Sequence, residues 1–198
     1  MIRLVGMGPG SIRYITMEAV EAVKETDLVI AFGRIAKAAK QIRAEIQTID
    51  RVDQIIDMLD SDRDIAILAS GDPCFFGILD FLQRKGIIID QVLPGVSSMQ
   101  YMMARLKKSW QDAAFISFHG RECSIEDIKK SKTSIVLTDS KYTPNYISSL
   151  LSSMGVKGKI FVGFNLSYED EFIVEEEIGS DIDEISTLAV VVIENEMD

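Results

Sequence analysis

The chain has 198 residues, is 47% hydrophobic and carries a formal net charge of -10. That length accommodates one large or two small domains with a sizeable core, and no apolar run approaches the roughly 18 residues that a membrane-crossing helix needs. The excess of acid argues against a nucleic-acid backbone as the main partner, because counterion release needs a basic face.

The charge is unevenly placed. No Lys or Arg follows Lys159, while acids crowd 169–171, 175–177 and 181–184; this reads as a solvated face. Residues 1–6 run straight into a strand-like segment rather than a leader, so the expected compartment is the cytoplasm. Cys74 and Cys123 form no C-x-x-C pair and are expected as buried thiols. His119 is the one histidine. It leaves no material for a histidine-built metal centre, and any Ser-His-Asp triad would have to use it; no metal site is expected.

Residues 3–5 are a short strand running into Gly6-Met7-Gly8-Pro9-Gly10-Ser11. The loop departs from the dinucleotide fingerprint on three counts. Its sixth position is neither glycine nor alanine. The next helix starts only after Thr16, its N-cap. The acid at about the right distance, Asp27, precedes a strand instead of ending one. NAD is therefore not the expected ligand. Residues 17–24 are expected as a helix with Met17, Val20 and Val23 on its apolar face. A buried strand over 28–32 follows, then a weak helix over 36–42 and a helix over 51–59 presenting Ile55, Ile56 and Leu59. The strand over 64–69 delivers Ser70-Gly71-Asp72-Pro73-Cys74-Phe75-Phe76-Gly77. A helix over 77–85, stopped by Gly86, and a strand over 87–93 complete a series of parallel βαβ units.

The Ser-Gly-Asp-Pro turn lies at the carboxyl end of a strand, where open α/β sheets bind ligands. Gly71 permits close backbone approach or a positive φ. Asp72 offers a carboxylate, Pro73 stiffens the loop, and Phe75 and Phe76 can wall a flat ligand. As plain structure, Asp72 caps the next helix. A second strand end, Leu93-Pro94-Gly95-Val96-Ser97-Ser98, leads into a helix over 99–106. Ser97 or Ser98 either caps that helix or binds the polar tail of a ligand. Parallel neighbours would bring both loops to one sheet edge.

Past residue 112 the texture changes. Strands are expected over 113–118, 133–137, 159–164, 172–177 and 188–193, with a helix over 144–151. The strand ends carry Ser117-Phe118-His119-Gly120-Arg121, Thr138-Asp139 and Asn165-Leu166-Ser167. The alternation over 172–177 marks an exposed, antiparallel strand. The expectation is an α/β chain with domains over 1–112 and 113–198, the second holding more strands and fewer helices.

Four elements stand in order: Val5-Gly6-Met7-Gly8-Pro9-Gly10, Ser70-Gly71-Asp72-Pro73, Pro94-Gly95-Val96-Ser97-Ser98 and Asn165-Leu166-Ser167. The series resembles the tetrapyrrole methylase family, the S-adenosylmethionine (SAM) methyltransferases of corrin and sirohaem synthesis, along almost the whole chain. Within that family, residues 69–77 and the Ser-x-His-Gly-Arg run look most like the CbiE-type branch. That branch methylates carbon 5 of a late precorrin on the cobalamin pathway and leaves carbon 15 to a separate enzyme or a fused domain. One departure stands out: the family usually has Glu before the Asn-Leu pair, and here Phe164 occupies that place.

The resemblance implies two α/β domains, a parallel-sheet N-terminal one and a mixed-sheet C-terminal one, with SAM in the cleft between them, and a homodimer. It implies cofactor contacts at Pro9, Gly71, Asp72 and Phe75, at Ser97 and Ser98 toward the methionine end, and at Asp139 and Leu166 on the adenosine side, mostly through backbone. A sulfonium methyl is already activated, so the protein mainly supplies proximity and alignment. Histidine is the side chain whose unperturbed pKa lies nearest neutral pH, so His119 is the candidate base; its alternative is a structural or substrate-binding role. Macrocycle carboxylates suit arginine. The candidates are Arg13, Arg34 and Arg121, against the plainer reading of each as a surface residue. The acceptor could instead be that of a diphthine synthase or an rRNA methylase, although the acidic balance argues against RNA and the Ser-x-His-Gly-Arg run against both. The chain could also be a subunit active only with the carbon-15 methyltransferase/decarboxylase.

Overall fold

The structure, a computed structural model, describes residues 1–59, 62–118 and 125–196. His119, Arg121 and Cys123 lie outside the described residues. The chain divides into two compact units, Met1–Ser98 and Met99–Asp198. The sequence reading sets the change at 112/113, one helix further along the chain.

The first unit is built on strands β1 (Ile2–Gly6), β2 (Leu28–Phe32), β3 (Gln47–Ile49), β4 (Ile65–Ala69) and β5 (Gln91–Leu93), in the order β3-β2-β4-β1-β5. Every pairing is parallel. All five residues of β4 are buried, as expected of a strand covered on both faces. Successive residues point to opposite faces. Val5, Val29, Ala66 and Leu68 therefore join one core, and Leu4, Ile30, Ile65 and Ile67 join the other.

Helices α1 (Met17–Glu25), α2 (Gly33–Ala39), α3 (Asp53–Ile56) and α4 (Leu79–Arg84) connect these strands. Thr16 caps α1 as expected, its Oγ1 accepting the Ala19 N–H at 3.2 Å. The buried face differs from the expected one: Ala19, Ala22 and Val23 are buried while Met17 is 79% exposed, the small residues letting the helix lie close to the sheet. The helix expected over 51–59 shortens to one turn, α3. The Gln54 side chain takes the Asp50 and Arg51 N–H groups at 2.9 Å, and Met58 and Leu59 bond three residues back, to Ile55 and Ile56. Ile55 is buried but Ile56 is exposed. Helix α4 starts two residues later than expected and ends at Arg84, with Gly86 just beyond it at positive φ and the Ile87 N–H returning to the Leu82 carbonyl. Asp27 accepts the Asp64 N–H at 2.9 Å, a purely structural use at the mouth of β4.

The second unit holds β6 (Ala114–Ser117), β7 (Thr133–Leu137), β8 (Gly158–Phe164), β9 (Phe172–Glu177) and β10 (Ala189–Asn195), in the order β6-β7-β10-β8-β9. Among the described residues only β6 and β7 pair in parallel; β10 and β9 are antiparallel to their neighbours. Helices α5 (Ser98–Leu106), α6 (Ile125–Lys129) and α7 (Pro144–Ser153) accompany them. Among the described residues each unit thus has five strands, against the expectation of more in the second. The miscount comes from β3, a three-residue edge strand too short to leave a pattern.

The core of this unit gathers Ile116, Val136, Leu151, Val162, Phe164 and Val191. Part of the acid-rich stretch is solvated as expected: Glu175 to Glu177 on edge strand β9 are exposed, and Glu175 pairs with Lys159. Part is not. Glu184 Oε1 accepts the Asn145 N–H at 2.8 Å, where a carboxylate complements the amino end of α7.

Candidate active site

The first unit brings three strand ends together. β4 and β5 flank β1 on either side, so the loops after all three leave the same sheet edge. The strands that deliver Ser-Gly-Asp-Pro and Pro-Gly, expected as neighbours, are separated by β1, whose glycine loop lies between them. Gly8 and Gly71 pair as an antiparallel bridge, Gly71 N–H donating to Gly8 O at 2.8 Å and Gly8 N–H to Gly71 O at 3.3 Å. Gly71 has φ +64, a conformation open to glycine at no steric cost. The third loop closes on the first two. A Cβ on Gly6 would stand 2.6 Å from the Gly95 nitrogen, and one on Gly95 would overlap the Gly71 carbonyl oxygen. Three backbones thus meet where side chains cannot fit.

Asp72 fastens this arrangement. Its Oδ1 accepts the Cys74 N–H at 2.8 Å and its Oδ2 the Gly95 N–H at 3.2 Å. It does not cap the next helix, because α4 begins only at Leu79; the carboxylate ties the second loop to the third. Pro9 and Ser97 are buried, while Gly71, Asp72, Phe75 and Ser98 are half-buried. The Phe75 and Phe76 rings lie 4.9 Å apart at 51°, a tilted pair rather than a flat wall. Cys74 is exposed, contrary to the expected buried thiol, because the turn that Asp72 holds carries it outward. Residual burial and the nearby Asp72 and Asp80 carboxylates push its thiol pKa up. Arg13, on a 3-10 turn over Ile12–Tyr14, and Arg34, in the first turn of α2, are both exposed.

The second unit builds its loops differently. After β7, Asp139 Oδ1 accepts the Lys141 and Tyr142 N–H groups at 2.9 and 2.6 Å, folding the chain into a tight turn. Tyr142 stacks on Phe118, with ring centroids 4.0 Å apart at 12°. After β8, the turn Asn165-Leu166-Ser167 places two non-glycine residues at positive φ, Asn165 at 47° and Ser167 at 71°. Asn165 Nδ2 donates to Asp170 Oδ2 at 2.8 Å, and Asn165 Oδ1 accepts the Ser186 hydroxyl at 2.6 Å. Leu166 turns its side chain inward and is only 5% exposed. Gly163 makes room for it beside Met102. Phe164, where a carboxylate was the family expectation, is fully buried and serves the core.

Sequence reasoning missed Glu171, read as part of a solvated acid run. Its side chain is only 13% exposed. Arg105 Nε donates to its Oε1 at 2.7 Å and the Ser167 N–H to its Oε2 at 2.6 Å. Burial pushes its carboxyl pKa up, but hydrogen bonds from Tyr101 and Ser167 and the Arg105 charge outweigh that and hold it below the usual carboxylate range. The available signal was the spacing of Tyr101 and Arg105, four apart and so on one face of α5. Among the described residues, no group of three or more His, Cys, Asp or Glu side chains is arranged to hold a metal ion.

Comparison with known proteins gives these loops a context. The family profile of the Tetrapyrrole (Corrin/Porphyrin) Methylases matches residues 1–180. A relative from Methanocaldococcus jannaschii, the probable cobalt-precorrin-7 C(5)-methyltransferase, is 31% identical over 191 residues, covering 86% of each chain. Among solved structures, the cobalamin biosynthesis precorrin-6Y methylase (cbiE) of Archaeoglobus fulgidus superposes with a TM-score of 0.78 at 22% identity, over 100% of this chain and 99% of that one. Uroporphyrin-III C-methyl transferase from Thermus thermophilus, complexed with S-adenosylhomocysteine, gives 0.73 at 19% identity, over 98% of this chain and 96% of the other.

Proposed function

The chain belongs to the tetrapyrrole (corrin/porphyrin) methylase family, and from that premise we propose that it methylates carbon 5 of a late cobalt-precorrin on the route to cobalamin. It is a SAM-dependent methyltransferase. The observation that carries the carbon-5 assignment is the match to a relative named for that reaction, at 31% identity over 86% of both chains.

The residues present fit SAM. The junction of Gly6, Gly71 and Gly95, where a Cβ at Gly6 or Gly95 would collide with neighbouring backbone, locks the three strand-end loops together and fixes Asp72 at their edge. Asp72 keeps free lone pairs beside its two N–H partners, since a carboxylate has about four acceptor positions. Pro9, Gly71, Asp72, Phe75, Ser97, Ser98, Asp139 and Leu166 are the residues we assign to the cofactor. When bound, SAM would supply an activated methyl group on a positively charged sulfur. The protein contributes alignment and the exclusion of competing nucleophiles. Carbon 5 of the conjugated macrocycle supplies the electron pair. His119 is the residue we assign to accept a proton from the methylated ring, and Arg13, Arg34 and Arg121 those for the peripheral carboxylates.

We also place the chain in the cytoplasm as a homodimer that works beside a separate carbon-15 methyltransferase/decarboxylase. Among the described residues no helix is long and apolar enough to cross a membrane. The test is a transfer assay with deuterium-methyl SAM and cobalt-precorrin-7, read by mass spectrometry, with and without the carbon-15 enzyme. One labelled methyl gained by the chain alone is the expected result. Gain only when the second enzyme is added would make the chain an obligate subunit.

A further inference from the structure

The second unit holds a charged cluster that the reaction scheme above does not use. Glu171 lies four residues past Ser167, and both of its carboxylate oxygens are engaged, one by Arg105 and one by the Ser167 N–H. Tyr101, one turn before Arg105 on α5, hydrogen-bonds the same carboxylate. The turn it grips is costly. Two non-glycine residues at positive φ persist only where surrounding contacts hold them. Glu171 holds the Ser167 end and Asp170 with Ser186 the Asn165 end. The held conformation sends the Leu166 side chain into the core. The Leu166 N–H and C=O have no hydrogen-bond partner among the described residues. A turn that buries the side chain and leaves the peptide groups available is suited to a ligand read through backbone.

We propose that Glu171 is a positioning residue for cofactor binding: anchored by Arg105 and Tyr101, it fixes the Asn165-Leu166-Ser167 turn so that the Leu166 backbone is presented to the adenosine of SAM. The proposal rests on the reading of Leu166 as an adenosine contact. Its energetic logic is preorganisation: a turn already held in its bound shape loses less freedom when the ligand arrives. Glu171 itself touches neither the methyl group nor the acceptor, so its removal acts on cofactor affinity more than on the chemical step.

The experiment is calorimetric titration of the full chain with S-adenosylhomocysteine, together with initial rates against SAM. Glu171→Ala is expected to weaken binding about tenfold and to raise KM for SAM in step, with kcat at saturating SAM changed by less than about threefold. Glu171→Gln keeps one acceptor for Ser167 and loses the charge facing Arg105; it is expected to recover part of the loss, to about threefold below wild type. Thermal melting checks that each variant is folded. If Glu171→Ala does not fold, Glu171→Gln and Arg105→Gln carry the test, each expected at about threefold weaker binding. Wild-type affinity in the folded variants, or a loss confined to kcat, would overturn the proposal alone. Failure of the unaltered chain to bind S-adenosylhomocysteine would overturn the reading of Leu166 as well.

Discussion

The two units build their strand-end loops in opposite ways. In the first, the strand ends after β1, β4 and β5 meet through bare backbone: Gly6, Gly71 and Gly95 pack against one another, and one side chain, Asp72, ties two of the loops. In the second, the turns after β7 and β8 are shaped by side chains. Asp139 takes two N–H groups, and Glu171 with Asn165 pins a turn of unfavourable φ. A backbone junction is intolerant of added atoms. A side-chain clamp is intolerant of lost hydrogen bonds. The two regions should therefore fail under different substitutions.

The sharpest break is Gly95→Ala. Its Cβ would collide with the Gly71 carbonyl, and backbone cannot yield as a flexible side chain can. The expected loss is about 4 kcal/mol in urea unfolding, near the upper end for a point substitution. The matched control is Gly33→Ala at the start of α2, where nothing lies within 4 Å of the added Cβ; a gain of up to about 1 kcal/mol is expected there.

Next in size is Asp72→Ala, which frees the Cys74 and Gly95 N–H groups together. It is expected to weaken S-adenosylhomocysteine binding about tenfold, corresponding to one or two lost hydrogen bonds to a charged acceptor. The same substitution removes one carboxylate that raises the Cys74 pKa. Alkylation of Cys74 by iodoacetamide at neutral pH should therefore be faster in Asp72→Ala than in the unaltered chain, since the thiolate is the reacting form. Wild-type affinity in this variant would remove Asp72 from the cofactor site.

The smallest effect concerns acid. The Glu171 pKa is lowered in the folded state, so the unfolded chain binds the extra proton first as pH falls. The stability this group contributes is complete above the ordinary carboxylate range and is lost from about pH 5 downward, through its folded pKa. Glu171→Gln lacks this dependence. The gap in Tm between the two proteins should be widest near neutral pH and should close on acidification. A gap that stayed constant would mean the carboxylate charge contributes nothing.

Much of the first unit was legible because its signals are local. Apolar runs such as 65–69 mark strands buried on both faces, Thr16 marks a helix start, and glycines at strand ends mark close approach. The strands β7 and β9 kept their expected bounds. What was hidden depends on partners far apart in sequence. Glu171 looks like any acid in an acid run until Tyr101 and Arg105 are placed beside it. The second oxygen of Asp72 finds Gly95 only because β4 and β5 both flank β1. The α3 region misled because Ile55, Ile56 and Leu59 carry a helical period, while Gln54 diverts the preceding N–H groups to its own side chain.

The most direct test of the central claim is the position of the transferred methyl. The purified chain, given carbon-13-methyl SAM and cobalt-precorrin-7, should yield a product whose NMR spectrum carries the label at carbon 5 and nowhere else. Label at another ring carbon, or no transfer while S-adenosylhomocysteine still binds, would contradict the carbon-5 assignment and leave only the methyltransferase scaffold standing.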